Sequence, residues 1–294
     1  MAITQQSGEP AERGPGTDGG STRAAVFDEA AEGFVALAAP LWDPLGNMLV
    51  ECTQPRPGER VLDACCGAGA SARPAARVVG EAGRVDAVDL SGALLEAGRR
   101  AARGLPQLQF IQDDVTAWQP RDGAYDLVQS GFGVFFLPDM DAGSRHLISL
   151  LRGNGRFAVQ VWRGGALADF ARCMLDAVAD QVPEMAGRLP VSKSAGDRVD
   201  SVPGLGEWLT SLGLAQVRVR ESPYMVPLTP TLAWDLVRGT GFRELIAACD
   251  AETTRRIRDG LLARIGQRGL SVLDAGSLIG IGVRPADDPA LPRM

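Results

Sequence analysis

Acidic residues and glycines recur at intervals that suit the binding of a nucleoside. Asp63 stands just ahead of Gly67-Ala-Gly69, Asp89 follows about 20 residues on, and Asp113-Asp114 comes one further repeat along. Glycines in such a turn let backbone approach a ligand closely. An acid at position 89 can accept both hydroxyls of a ribose, and one at 113–114 can accept an amino hydrogen of a purine. A ligand with an adenosine and a small charged end satisfies all three features. Taken alone, each aspartate is a helix N-cap or a solvated loop carboxylate. Their placement at three successive strand ends is what carries the argument. Gly67-x-Gly69-x-x-Ala72 followed by an acid also fits the dinucleotide fingerprint, and the glycines do not separate the two. Asp63 does bear on the choice. It lies where a pyrophosphate would approach, repels phosphate and suits an ammonium group.

Short apolar runs alternate with amphipathic stretches around these residues. Strands are expected at 60–64, 84–88, 108–111, 125–129 and 156–161, with helices at 70–79, 91–103 and 142–151 between them. Strand runs that are apolar throughout, joined by short connections, predict a parallel sheet covered on both faces. Before them, residues 24–59 form a helical cap broken at Pro40 and Asp43-Pro44; before that, 1–23 are polar and read as a disordered tail. After the core at 60–162, a helix at 166–182 and a mixed stretch at 185–201 read as a lid insertion spanning 163–203. Residues 204–285 then complete the sheet, with a helix at 204–212, strands at 216–220 and 277–284 and a helical insertion at about 229–268. A tail, 286–294, ends the chain. The fold class is α/β: doubly wound, with a mostly parallel seven-stranded sheet, a helical N-terminal cap and helical lid insertions.

The motifs resemble those of the class I S-adenosylmethionine-dependent methyltransferases, a Rossmann-like fold family, over about 41–162 and more weakly to Arg284. Pro57-Gly-Glu-Arg-Val-Leu-Asp-Ala-Cys-Cys-Gly-Ala-Gly69 is similar to that family's first motif, Arg84-Val-Asp-Ala-Val-Asp-Leu-Ser91 to its second and Phe110-Ile-Gln-Asp-Asp-Val115 to its third. Tyr125-Asp-Leu-Val-Gln-Ser130 and the Phe-Gly-Val-Phe-Phe-Leu-Pro-Asp139 after it are similar to its fourth. The resemblance implies S-adenosyl-L-methionine as cofactor. It implies that Asp63 and the turn with Cys65, Gly67 and Gly69 receive the methionine end. It further implies Asp89 on the ribose, Leu90 against the adenine face, Asp114 on the adenine amino group, Val115 offering its N–H, and Gln129 and Ser130 beside the sulfonium. Two departures stand out. Arg152-Gly-Asn-Gly155 replaces an Arg-Pro-Gly-Gly often seen before the fifth strand, which is expected to be a tolerated loop change. Phe135-Phe136 occupies a place where some members carry histidines.

Methyl transfer from a sulfonium needs positioning above all. Phe132, Phe135, Trp162 and Trp42 are the residues expected to shape an acceptor pocket, where aromatic faces favour a cation or an apolar molecule. No general base is assigned. His146, the lone histidine, reads as a helix-surface or packing residue, and Asp139, Asp28 and Tyr224 are candidates by location only.

Composition narrows the partners. A net charge of −6 lacks the clustered cations that grip phosphates, which argues against nucleic acid. No Asn-Pro-Pro-aromatic sequence is present, which argues against DNA adenine and protein glutamine as acceptors. No run reaches the ~20 apolar residues of a membrane span, and the N-terminus has no leader pattern. Five scattered cysteines carry no zinc spacing, so no metal is expected and reduced thiols in the cytoplasm are. A single lysine, Lys193, among abundant arginine, alanine and glycine reads as the codon bias of a GC-rich genome. The leading expectation is therefore methylation of a small molecule, plausibly a specialised metabolite. A methyltransferase-like protein that catalyses a cyclisation or rearrangement and a non-catalytic binder stand as alternatives.

Overall fold

The computed structural model describes residues 18–121, 123–185 and 196–286. Most of the two expected tails and residues 186–195 of the mixed stretch lie outside these. One boundary is corrected within them: helix α1 runs Asp18–Ala36, so the helix starts before Ala24. Residues 18–20, Asp-Gly-Gly, are poor helix formers, but extending an already formed helix costs far less than nucleating one.

A π-helical turn, Ala38–Trp42, joins α1 to α2, Asp43–Thr53. Pro40 has no N–H to give the ladder, and the Trp42 N–H reaches back to the Leu37 carbonyl at 3.1 Å. The core then alternates as expected: β1 Arg60–Ala64, α3 Ala72–Val79, β2 Arg84–Asp89, α4 Gly92–Ala101, β3 Leu108–Gln112, β4 Tyr125–Gly131, α5 Met140–Ser149, β5 Leu151–Trp162. Beyond it lie α6 Ala168–Gln181, α7 Val202–Ser211, β6 Ala215–Ser222, β7 Met225–Pro227, α8 Pro230–Gly239, α9 Ala251–Gln267, β8 Val272–Asp274 and β9 Ser277–Val283. Side-chain caps set the helix starts: Ser91 for α4, Asp139 for α5, Ser201 for α7, Thr229 for α8 and Asp250 for α9.

Seven strands form one sheet in the order β3-β2-β1-β4-β5-β9-β6. β1 to β5 are parallel to their neighbours, while β9 pairs antiparallel with both β5 and β6. The order reverses beside β1, which opens a crevice at the carboxyl ends of β1 and β4. Two features were not legible in the sequence. β7 and β8 pair as a separate small sheet. Residues 152–155 are no loop: they lie inside β5, with Asn154 at φ +63° donating its N–H to the Arg284 carbonyl.

One face of the sheet buries Leu62, Val128, Phe157 and Val159 against α5 and α7. The other buries Val61, Leu127, Ala158 and Ile279 against α2 and α3. A third core, built from α6, α8, α9 and the π-turn, packs Leu37, Leu41, Phe170, Met174, Leu236 and Leu261 together. α2 enters both of the last two, with Leu45 in one and Leu49 in the other, and so holds the helical roof against the sheet.

Candidate functional site

Asp63 is the penultimate residue of β1, with its side chain on the α2 face, and it is fully buried. Its Oδ2 accepts from Ser71 Oγ at 2.6 Å and from Gln129 Nε2 at 3.2 Å. Gln129 is its register partner on β4, so parallel pairing delivers the carboxamide to the carboxylate. Asp63 Oδ1 has no hydrogen-bond partner among the described residues. Burial pushes this carboxyl up to about 7; the Ser71 and Gln129 hydrogen bonds pull it down, and the Asp89 charge adds to the rise. A buried carboxylate with a free oxygen is complementary to an ammonium group, since it otherwise bears the desolvation cost without compensation.

The turn after β1 wraps around this acid. Cys65 at φ +56° and Gly67 at φ +53° both adopt the left-handed region, which Gly67 enters without a Cβ penalty. The Gly67 N–H donates to Asp89 Oδ2 at 2.8 Å, and the Ser91 N–H donates to Asp89 Oδ1 at 2.9 Å. Asp89 is thus held rigidly at the end of β2, with lone pairs left for two hydroxyls. Burial raises its pKa, the backbone N–H groups lower it, and nearby Asp28 raises it again. Asp114 Oδ1 accepts from the Thr116 N–H at 2.8 Å and Oγ1 at 2.7 Å, which fixes the loop after β3 with Val115 buried beside it. Asp89, Asp63 and Asp114 each add to the burial that raises the Cys65 thiol, so the three acids converge around that residue. Cys65 and Cys66 accordingly remain protonated thiols at neutral pH.

Gly69 has a reason the sequence did not reveal. A Cβ there would stand 2.7 Å from the Phe110 ring, so the missing side chain makes room for β3 to pack on the turn. α1 closes the site from outside. Phe34 places its ring over Gly67, and Asp28 Oδ1 accepts from Ser91 Oγ at 2.5 Å and from the Ala93 N–H at 3.1 Å.

Three of the four expected acceptor-side aromatics come together. Phe132 and Trp162 lie with ring centroids 4.2 Å apart, and Trp42 is 6.0 Å from the first and 6.2 Å from the second. Phe34 stacks on Trp42 at 4.9 Å and extends the cluster toward the glycine turn. Phe135 does not join them. It packs with the core on the other face of the sheet, because the 3₁₀ turn Val134–Phe136 rotates it away. Ser130 likewise points to that opposite face, beside Cys65, since it neighbours Gln129 on a strand.

The candidate bases are occupied elsewhere. His146 Nε2 bonds the Trp118 carbonyl at 2.9 Å, Asp139 caps α5 and Asp28 caps α4. Tyr224 donates its hydroxyl to the Pro40 carbonyl at 2.9 Å and ties the π-turn to the strand region. Two residues that sequence reasoning missed are Ser71 and Gln160. Gln160 carried a signal, for it is the one polar side chain in the apolar run Phe157-Ala-Val-Gln-Val161. Among the described residues no cluster of metal-binding side chains occurs. No single helix there is long and apolar enough to cross a membrane; the pair 24–36 and 38–53, apolar enough together, is bent by 75°.

Comparison with known proteins fits this geometry. A methyltransferase domain model matches residues 61–155. Aklanonic acid methyltransferase DauC of a Streptomyces species (strain C5) is 31% identical over 167 residues, which cover 54% of this chain and 76% of that protein. Among solved structures, a Bacillus halodurans methyltransferase (described as putative) superposes with a TM-score of 0.53 at 16% identity, covering 82% of this chain and 99% of that one. The [4+2]-cyclase SpnF superposes with a TM-score of 0.52 at 20% identity, covering 83% and 81%. The two structural likenesses establish the shared fold and leave the reaction open.

Proposed function

The chain belongs to the class I S-adenosylmethionine-dependent methyltransferases, and on that premise we propose how its residues divide the work of methylating a planar, largely apolar specialised metabolite in the cytoplasm. The observation that carries the cofactor half is the fully buried Asp63 with one oxygen unpartnered. In this reading that oxygen takes the ammonium of the methionine end, while the turn at Cys65, Gly67 and Gly69 surrounds it. Asp89 holds the ribose hydroxyls and Leu90 meets the adenine face. Asp114 and the Val115 N–H meet the adenine edge. Gln129 orients Asp63 and borders the sulfonium side. Ser130, on the opposite face, acts through the packing of the turn. S-adenosylmethionine supplies an electrophilic methyl group, and the protein's task is to hold the acceptor in line with it.

The acceptor half rests on Phe132, Trp162 and Trp42, with Phe34 at the edge. A flat apolar molecule exchanges ring–ring contacts for ring–ligand contacts at little cost. The helices of the cap and the two insertions form a lid that excludes water. The likeness to aklanonic acid methyltransferase supports a small-molecule acceptor. Five free cysteines accord with a reducing compartment.

Incubation with methyl-labelled cofactor and a panel of small aromatic acceptors tests the reaction, with labelled product and S-adenosylhomocysteine as readouts. Tight cofactor binding without transfer to any acceptor overturns it in favour of the cyclase or binder alternatives. Replacing Phe132 by Ala is expected to raise the acceptor KM or lower kcat at least several-fold while cofactor affinity stays constant. Unaltered acceptor kinetics in that variant count against the aromatic wall.

A further inference from the structure

Gln160 lies in the middle of β5 with only 1% of its surface exposed. Its Nε2 donates to Ser277 Oγ at 3.0 Å on the neighbouring strand β9. With the nitrogen so committed, the side-chain carbonyl is the free end of the amide, and Oε1 has no hydrogen-bond partner among the described residues. Buried carbonyls left in that state are uncommon in folded proteins. An unpartnered group under a ligand-binding roof is a request for a donor from the ligand.

Its surroundings say what kind of ligand. Trp162 lies two residues on and therefore on the same face of β5, within the aromatic cluster. The Gln160 backbone carbonyl accepts from the Phe132 N–H at 2.8 Å, which locks that aromatic residue beside it. Trp42 Nε1, in the same cluster, is a buried donor that also lacks a partner. Between this group and Asp63 lies Gly131. A Cβ on Gly131 would stand 3.9 Å from Gln160 Oε1 and 4.0 Å from Ser71 Oγ, the hydroxyl that serves Asp63. Gly131 thus keeps the space between Ser71, which serves Asp63, and the free carbonyl of Gln160 clear of a side chain, with Leu49 Cδ2 bounding it 3.6 Å from that Cβ position.

We infer that Gln160 is a specificity-determining residue whose side-chain carbonyl accepts a hydrogen bond from a hydroxyl on a planar aromatic acceptor seated against the cluster of Trp42, Phe132 and Trp162. This rests on the methyltransferase reading for its place beside the cofactor. A site built to pair a ligand hydroxyl discriminates strongly against the analogue that lacks it, because the buried acceptor is then left unpaired. The neighbouring aromatic faces alone would not discriminate.

The test uses full-length protein loaded with S-adenosylhomocysteine and calorimetric titration of 7-hydroxyflavone and flavone. Wild type is expected to bind the hydroxylated compound at least tenfold more tightly. Gln160→Met, which keeps the side-chain length, is expected to bring the two within twofold of each other while S-adenosylhomocysteine affinity changes less than twofold. A preference that persists in Gln160→Met overturns the inference, as does wild type that binds both equally or neither. If Gln160→Met fails to bind S-adenosylhomocysteine, Ser277→Ala replaces it. Releasing the amide nitrogen should then reduce the preference at least threefold, and an unchanged preference overturns the inference. A methyl-transfer assay in parallel separates the two readings. Hydroxyl preference without transfer sinks the reaction and leaves Gln160's role; transfer without preference sinks only Gln160's role.

Discussion

Asp63 concentrates the chemistry of the site in one side chain. A carboxyl raised above its ordinary value favours the folded state most when protonated. Its contribution to stability is therefore present below about pH 4 and lost as pH rises to about 7. Cofactor binding runs the opposite way, because an ammonium pairs with the ionised form. Affinity for S-adenosylmethionine should rise with pH by up to tenfold per unit until about pH 7 and then level, with a proton released on binding below that point. Titration calorimetry in buffers of different ionisation enthalpy measures this. Asp63→Asn should bind at least tenfold more weakly with a flat pH profile; a preserved profile assigns the titration to another group. The carboxylate was legible in the sequence because an acid ahead of a glycine turn is chemically odd. Ser71, which donates to it, was not, since a serine at a helix start has an ordinary capping reading.

Among the elements, α1 bears most on access to the site. It crosses α8 where Gly33 meets Gly239, and a Cβ on Gly33 would stand 2.7 Å from the Gly239 nitrogen. The crossing is backbone on backbone, so Gly33→Ala must push the helices apart. The expected cost is about 1–3 kcal/mol of stability, and cofactor affinity should fall because Phe34 and Asp28 ride on the same helix. Denaturant unfolding and cofactor titration read the two effects, and an unchanged midpoint rejects the crossing as rigid. Ser91→Ala removes both the α4 cap and the hydroxyl that meets Asp28, with an expected loss of about 1 kcal/mol. The ion pairs beside the crossing, Arg243–Glu29 and Arg238–Glu32, are solvent-exposed and contribute little.

For the molecule as a whole, the roof and the sheet share α2, so ligand binding between them should be felt globally. Cofactor at a hundredfold excess over its Kd stabilises the native state by about 2.7 kcal/mol and should raise Tm by several degrees. If the cofactor binds at the glycine turn as proposed, the same addition should slow proteolytic cleavage within 24–36, because Phe34 covers Gly67. Equal cleavage with and without cofactor would show that α1 does not cover it. Arg156 and Glu59, a partly buried pair at 2.6 Å, lie at the opposite end of the sheet and should leave these readouts untouched when altered conservatively.

By itself the sequence determined the core of the sheet and set three acids at or just beyond its strand ends, and its motifs carried the resemblance that named the cofactor. Those follow from local rules: apolar runs of strand length, helices with side-chain caps, and acids placed by a βα repeat at the ends of strands. Only the tertiary structure decided the acceptor side. Phe132, Trp162 and Trp42 come from three distant elements, and whether their rings meet depends on the π-turn at Pro40 and on the twist that sends Phe135 away. Gln160, which the sequence reading passed over, gains its place only because β9 brings Ser277 to its nitrogen and leaves its carbonyl free among the described residues. Spacing along a chain encodes which face a side chain takes. It does not encode which remote element arrives to meet it.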